Sequence, residues 1–357
     1  MRILVVNPGS SSLKLGLLDG EDQTLLDREH DGTGGRIDRE ALEATVREAG
    51  VVDAVGLRFV HGGARYSGPV LIDAEAAAYL ATLIDLAPLH QGPALEAYEA
   101  LRRLLPQTPV VACFDTAFHH DLPAAAKTYP IPAEWRERWA IRRYGFHGLS
   151  HAYASRRAAE LLGRPLSELR TVTCHLGSGA SLAAVEGGRS VDTTMGFTPL
   201  DGLVMATRSG SLDPGLVLWL VIHGGLSAEE VLDGLDRRSG LLALGASRDL
   251  REVLAGPDRE LALGVYTHRL RALIAAMAAA MGGLDALVFT GGVGEHSAAV
   301  RAGVAEGLGF LGVAVDSAVN AASGDREISA GGAAVRTVVV SAREDLEISR
   351  QVRELLG

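Results

Sequence analysis

The chain has 357 residues, 47% of them hydrophobic and 22% charged, with 43 glycines and a formal net charge of −10 at neutral pH. That length gives room for two domains with cores of their own, and the composition excludes disordered and fibrous classes in favour of a soluble α/β enzyme. No lysine/arginine stripe offsets the acidic balance, which speaks against a general nucleic-acid binder and makes the position of each arginine informative.

In chain order, the apolar run Ile3 to Val6 reads as a buried strand that ends in Asn7, Pro8, Gly9 and three serines. A second run, Leu13 to Leu18, follows at once and closes at Asp19-Gly20. This predicts a hairpin whose turn offers hydroxyls, an amide and backbone N–H groups, a setting that can hold phosphoryl oxygens. It contains Lys14, one of two lysines in the chain. The opening run is too short for a signal peptide or a membrane span, so a cytoplasmic protein with no membrane association is expected. Residues 21–35 are polar, with few apolar anchors. A helix is predicted from Ile37 to Ala49 and a strand from Ala54 to Val60, running into His61-Gly62-Gly63. Asp73 caps a predicted helix from Glu75 to Leu86, which Pro88 stops. A helix from Ala94 to Leu105 and a strand from Pro109 to Cys113 lead to Phe114-Asp115-Thr116. Residues 117–149 have weak periodicity and read as a connecting or pocket-forming region.

A second series starts at Ser150 with a helix to Leu162. The strand Arg170 to Cys174, the turn His175-Leu176-Gly177-Ser178-Gly179 and the strand Ala180 to Val185 repeat the organisation of residues 3–18. Two such units, one near the start of each half, suggest two similar domains facing one nucleotide. Helices are predicted near 212–222, 227–236 and 258–281. The strand Ala286 to Thr290 runs into the turn Gly291-Gly292-Val293-Gly294, and a strand from Val335 to Val340 and a helix from Leu346 to Leu356 complete the chain. Cys113 and Cys174 each end an apolar run and read as buried, reduced thiols.

Three glycine/serine turns after strands (7–12, 177–179 and 291–294) favour a nucleotide whose phosphates lie between domains. None of them matches the P-loop or the dinucleotide fingerprint. Arg58 sits inside the apolar strand GLRFV, where a charge is costly unless it is paired or faces a cleft. Arg208 lies in the glycine- and serine-rich MATRSGSLDP. Two arginine forks of this kind could clamp a small carboxylate and a phosphoryl group. Among the histidines, His147 in YGFHG suits donation to a transferring phosphoryl oxygen, His90 closes the helix-terminating LAPLH, and His151 reads as structural. His119 and His120 are adjacent and cannot both face one pocket if the backbone there is regular. Asp115 follows a strand, the usual place for a carboxylate that organises magnesium, and Glu344 lies just past another.

Eight segments, in order and spread over the whole chain, resemble the acetate kinase family of the acetate and sugar kinase/Hsp70/actin superfamily. They are NPGSSSLK at 7–14, RFVHGG at 58–63, LAPLH at 86–90, FDTAFH at 114–119, RRYGFHGLSH at 142–151, TCHLGSGAS at 173–181, MGFTPLDGLVMATRSGSLDP at 195–214 and TGGVGEHS at 290–297. The resemblance implies two actin-like (ribonuclease H-like) domains with mixed sheets flanked by helices and an active site in the cleft between them. Residues 1–117 plus 346–357 would form the N-terminal domain, and residues 118–345 the nucleotide-binding one. It implies ATP + acetate ⇌ ADP + acetyl phosphate by direct in-line transfer, with Mg2+ (or Mn2+) and a homodimer.

Carried over by motif, Asn7, Ser10, Ser12 and Lys14 form a first phosphate region, while Arg58 and Arg208 hold the carboxylate and the transferring phosphoryl group. His147 would stabilise the transition state, with His90 as a supporting contact, and Asn7, Asp115 and Glu344 would organise the metal. His175, Gly177, Ser178, Gly179, Gly291, Gly292 and Gly294 line the nucleotide site, with Asp249, Leu250 and Arg251 at the adenine and ribose end. The acyl pocket maps onto Val60, Leu89, Phe146 and Pro199, whose bulk suits a methyl or ethyl group. One methylene changes binding there by only about 1–3 kcal/mol, so propionate or butyrate are the alternative substrates. A non-catalytic nucleotide-binding regulator is a further alternative, which the joint presence of Arg58, Asp115, His147 and Arg208 opposes. The chain departs from the family pattern in Ser178 (HLGSG for HLGNG), in His296 (GEH for GEN), in AREDL near Glu344 and Asp345, and in its shorter region before Arg58.

Overall fold

A computed structural model describes residues 1–9, 12–31 and 37–357, without the side chains of Asp31, Pro88 and Leu89. The described residues divide into two compact units: Met1–His120 with Phe146–Tyr153 and Arg343–Gly357, and Asp121–Gly145 with Ala154–Ala342.

The first unit holds a six-stranded sheet made of β1 (Ile3–Pro8), β2 (Ser12–Leu18), β3 (Thr24–Asp31), β4 (Ala54–Phe59), β5 (Val70–Leu71) and β6 (Val110–Phe114), in the order β3-β2-β1-β4-β6-β5. The second unit holds a six-stranded sheet made of β7 (Arg170–Leu176), β8 (Ala180–Glu186), β9 (Arg189–Thr193), β10 (Ala286–Thr290), β11 (Arg326–Glu327) and β12 (Arg336–Val339), in the order β11-β12-β10-β7-β8-β9. The two orders are the same pattern. Each sheet has an antiparallel meander of three strands, whose first strand pairs in parallel with a later strand that in turn pairs in parallel with another, and then a short antiparallel edge. Both units are therefore mixed α/β, as the sequence implied.

The first sheet is covered on both faces, which explains why its central strands read as continuous apolar runs rather than alternating ones. Leu4, Val6, Val55, Leu57 and Phe59 pack with Leu42 and Val46 of the helix Arg39–Ala49 and with Ala97 and Leu101 of the helix Pro88–Leu104. Ile3, Val5, Ala54, Val111 and Cys113 face the other way, against Ile348 and Val352 of the last helix, Glu344–Leu356. Gly56 allows that approach, because a Cβ there would lie 2.4 Å from the Ile348 side chain. Cys113 and Cys174 are both free and buried, and burial pushes both thiols well above the ordinary value. Among the described residues no helix is long and apolar enough to cross a membrane.

Three expectations are corrected. The polar stretch after the hairpin contains β3, an edge strand whose exposed face needs no apolar residues; among its described side chains only Leu26 is buried. The helix capped by Asp73 ends at Ala81 and is followed by a single 3-10 turn, Ile84–Leu86. Pro88 then starts a helix rather than stopping one, because its missing N–H and fixed φ suit a first helical turn. His90 thus lies in that first turn, its N–H bonded to the Ala87 carbonyl at 3.0 Å, and does not terminate a helix.

Ile348 has no exposed surface and ties the last helix to the sheet. Ile348→Ala is expected to lower unfolding free energy by about 2–5 kcal/mol, read from urea denaturation. A loss below 1 kcal/mol would mean that the helix is not held through this contact.

Candidate functional site

In the first unit the side chains that matter stand at the carboxyl ends of the parallel strands β1, β4 and β6, where ligands bind in open α/β sheets. Asn7 is near the end of β1, Arg58 near the end of β4, and Asp115 one residue past β6. Arg58 donates from Nε to Asp115 Oδ1 at 2.8 Å and from Nη2 to Asp115 Oδ2 at 2.6 Å, a two-bond fork. Its Nη1 donates to Asn7 Oδ1 at 2.8 Å and lies 3.7 Å from Glu344 Oε2. Asn7 Nδ2 in turn donates to Glu344 Oε2 at 2.9 Å. Burial works against the Arg58 charge, yet the Asp115 and Glu344 carboxylates outweigh it and hold its pKa above the usual value. Glu344 is the first residue of its helix, and Asp345 turns instead to Arg343, with contacts of 2.8–3.2 Å. Glu344, and not Asp345, therefore joins the cluster.

Asp115 also organises its surroundings through the backbone. Its N–H donates to the Phe59 carbonyl at 3.0 Å, and its carbonyl accepts from Gly148 N–H at 2.9 Å. A Cβ on residue 148 would lie 2.2 Å from that carbonyl oxygen, so only glycine fits. His147, immediately before it, has a left-handed backbone with φ of 58°, and its carbonyl accepts from His151 N–H at 2.9 Å, in the first turn of the helix Gly148–Leu162. A histidine in that conformation carries a local cost, which surrounding structure must offset. His119 is one such support: buried, with Nε2 donating to the Phe146 carbonyl at 3.1 Å. Burial drops its pKa to about 4, so it is neutral at ordinary pH. Val60 and Phe146 of the expected acyl pocket are buried in this unit, and the His61 ring meets Phe146 edge-on at 5.7 Å.

Lys14 pairs in register with Asn7 across the hairpin, so both side chains rise from one face. Its side chain is more than half exposed, and its ammonium sits 3.7 Å from Glu29. Ser12 is half-buried at the start of β2, its carbonyl bonded to Gly9 N–H at 2.8 Å. Ser10 and the side chain of Leu89 lie outside the described residues.

In the second unit, the turn after β7 closes with Gly177 N–H on the Gly179 carbonyl at 2.9 Å. His175 is half-buried at the end of β7, and Ser178 is exposed. The expected glycine turn at 291–294 is instead the short helix Gly291–His296, which starts directly at the end of β10. Gly291 has φ of 77°, and a Cβ there would lie 2.8 Å from the Leu176 carbonyl. The two glycine segments are thus packed side by side. The Ser178 carbonyl accepts from Ala206 N–H at 3.1 Å and so anchors the loop carrying Arg208. Arg208 donates to Asp236 at 3.0 Å and more weakly to the Pro199 carbonyl at 3.4 Å. Asp249 caps the helix Leu250–Ala255 through Arg251 N–H and pairs with the Arg251 guanidinium, which holds its carboxyl down near 2. Leu250 is buried in the core, so its side chain has a packing role, while Arg251 stands in solvent.

Gly148, Asp236 and Gly240 were not singled out from the sequence, although each holds a site residue or its loop, and His119 was weighed only against its neighbour His120. Gly240 has φ of 66°, and a Cβ there would meet the Met205 and Arg208 carbonyls at 2.1 and 2.7 Å. The usable signal was a glycine beside a helix start, at a place with no turn to require it. Among the described residues no group of three or more His, Cys, Asp or Glu is arranged to hold a metal. Asn7, Asp115 and Glu344 do present hard oxygens, but the Asp115 oxygens and Asn7 Oδ1 already accept from Arg58. Such a set fits a magnesium ion that keeps much of its water and meets substrate phosphates.

Two mixed sheets of one topology, with charged groups and glycine turns at the carboxyl ends of their strands, define a class of phosphoryl-group-handling α/β proteins. The acetokinase family model matches residues 30–350. Acetate kinase of Thermoanaerobacter pseudethanolicus is 43% identical over 397 aligned residues, covering 100% of this chain and 99% of that protein. The crystal structure of Porphyromonas gingivalis acetate kinase superposes with a TM-score of 0.90 at 35% identity and full coverage of both chains. A propionate kinase from Francisella tularensis gives the same TM-score, 0.90, at 35% identity over 98% of each chain. The chain belongs to the acetokinase family.

Two outcomes test this geometry. Gly148→Ala should cost at least about 1–3 kcal/mol through overpacking, whereas Gly264→Ala, with open space at its Cβ inside a helix, should stabilise by about 0.5–1 kcal/mol. Equal melting temperatures for the two variants would contradict the close approach. For His119, a folded pKa held below the unfolded one means that the unfolded chain takes up more protons between about pH 6.5 and 4. Stability should be complete above that window and fall through it on acidification. His119→Gln should flatten this limb of the melting-temperature profile, and an unchanged slope would remove His119 as its source.

Proposed function

We infer that this protein is an acetate kinase, catalysing ATP + acetate ⇌ ADP + acetyl phosphate. The observation that carries the reading is the buried Arg58–Asp115 fork with Asn7 and Glu344 around it, in a chain that belongs to the acetokinase family and aligns with acetate kinases over its whole length.

In this reading the transfer is direct and in-line. A carboxylate oxygen of acetate attacks the γ-phosphorus as the bond to ADP breaks, with no covalent enzyme intermediate. Acetate is already an anion, so no base is required, and Asp115 instead aims Arg58. Arg58 and Arg208 hold the carboxylate and the phosphoryl oxygens, placing the reactants and compensating charge. His147 donates to a phosphoryl oxygen in flight, with His90 supporting. Asn7, Asp115 and Glu344 would hold magnesium, which when bound neutralises the β- and γ-phosphates. Ser12 and Lys14 flank the first phosphate region. His175, Gly177, Ser178, Gly179, Gly291, Gly292 and Gly294 take the nucleotide phosphates, and Asp249 and Arg251 its far end. The actin-like character of both units, with the reaction between them, belongs to this proposal and rests on the family resemblance.

A propionate kinase is the second reading, favoured by the Francisella relative and by the apolar Val60, Phe146 and Pro199. Acyl phosphate trapped as hydroxamate from ATP, magnesium and C2 to C4 acids separates the two. Acetate should give the highest kcat/KM; preference for propionate would move the assignment, and no product with any acid from folded, ATP-binding protein would end the kinase reading. Glu344→Gln should raise the magnesium requirement and lower kcat at least about ten-fold, a loss of about 1.4 kcal/mol, while Asp345→Asn stays near wild type. The reverse order would transfer the metal role to Asp345.

A homodimer is proposed as well. The helix Pro214–Ile222 exposes Leu218 at 60%, Trp219 at 56% and Ile222 at 68%, an apolar surface suited to a second copy of the chain. Leu218→Asp with Trp219→Asp should turn the dimer into monomer by light scattering. An unchanged mass would place the contact elsewhere.

A further inference from the structure

Arg301 is 1% exposed, and among the described residues none of its hydrogen bonds is to a carboxylate. A guanidinium so buried is normally paired with an acid. Here it is spent on oxygens of the backbone and of one amide. Nη1 donates to the Gly294 and Glu295 carbonyls at 2.7 and 2.8 Å, Nη2 to the Asn320 carbonyl at 2.6 Å, and Nε to Asn320 Oδ1 at 2.7 Å. Asn320 is itself buried, and its Nδ2 donates to the Ala298 carbonyl at 3.0 Å. Burial, with Arg326 adding like-charge repulsion, pulls the Arg301 pKa down to about 10, which leaves it charged at neutral pH.

The two carbonyls that Arg301 takes belong to the last turn of the helix Gly291–His296, where a helix has no N–H partners of its own. At its first residue the same helix is fixed by Gly291, seated against the Leu176 carbonyl. Gly292 lies between these two anchors, exposed, with nothing within 4 Å of a Cβ built there. Gly291 is therefore a glycine for packing, while Gly292 leaves room for a ligand. We propose that Arg301 is a positioning residue for the nucleotide, holding the glycine segment 291–294 in place from beneath by its fork on the Gly294 and Glu295 carbonyls. This rests on the reading of that segment as part of the ATP site. Lysine cannot replace the fork, since its ammonium is a single point of donation.

The test compares Arg301→Lys, Asn320→Ala and Gly292→Leu in the full-length protein, with KM for ATP, KM for acetate, kcat and melting temperature measured for each. Arg301→Lys should raise KM for ATP about ten-fold, the scale of one or two hydrogen bonds to a charged group, with KM for acetate within two-fold of wild type. Asn320→Ala, which removes one acceptor but keeps the guanidinium, should raise KM for ATP by a smaller factor and likewise spare acetate. It decides the matter alone if Arg301→Lys does not fold. Gly292→Leu should raise KM for ATP without lowering the melting temperature. Equal effects on both substrates, or on neither, in the Arg301 and Asn320 variants would overturn the positioning role. No effect of Gly292→Leu on ATP would instead overturn the nucleotide reading of the segment, and the inference with it.

Discussion

The first unit depends on one ion pair, the fork between Arg58 and Asp115. A guanidinium on a strand buried on both faces is tolerable only when its charge is met and its donors are filled, since an uncompensated buried charge costs several kcal/mol. Asp115 meets the charge with two bonds, and Asn7 takes a third donor. The same aspartate is tied by its backbone to Phe59 on one side and to Gly148 on the other. One residue thus joins two strand ends, the hairpin amide and the start of the helix that follows His147. Glu344 arrives from the far end of the chain on the last helix, which Ile348 and Val352 pack against the sheet, and bonds to Asn7.

The second unit is built on a different principle. Its candidate site residues are held mainly by backbone contacts between close-packed glycine segments, with Gly291 on Leu176 and Gly240 on Met205 and Arg208. Only glycine permits backbone to approach backbone at these distances. Charge enters at Arg208, matched by Asp236, and beneath the glycine helix at Arg301. The first unit thus carries a carboxylate–guanidinium cluster, suited to charge compensation, and the second a glycine-built surface that lets a ligand approach the backbone closely.

Much of this was legible in the sequence because the signals were local. Apolar runs gave β1, β2, β4, β7, β8 and β10, and a charged residue inside such a run pointed to Arg58. What stayed hidden depended on tertiary neighbours. β3 carries charges on its exposed edge and has no periodicity to betray it. Pro88 reads equally as a helix stop or a first helical residue until its surroundings are known. Arg301, in VRAGVAE, looks like any surface arginine on a helix, and only burial reveals it. Glu344 and Asp345 are chemically alike and adjacent; the bond from Asn7 to one and the Arg343 pair on the other distinguish them.

In the proposed reaction Asp115 acts through Arg58 rather than as a base. A double-mutant cycle on kcat for acetyl phosphate formation, with Arg58→Gln, Asp115→Asn and both together in folded protein, tests it most directly. Groups acting as one unit lose their effect once, so the double variant should be little worse than either single one. Losses that multiply would show two independent roles and contradict the claim.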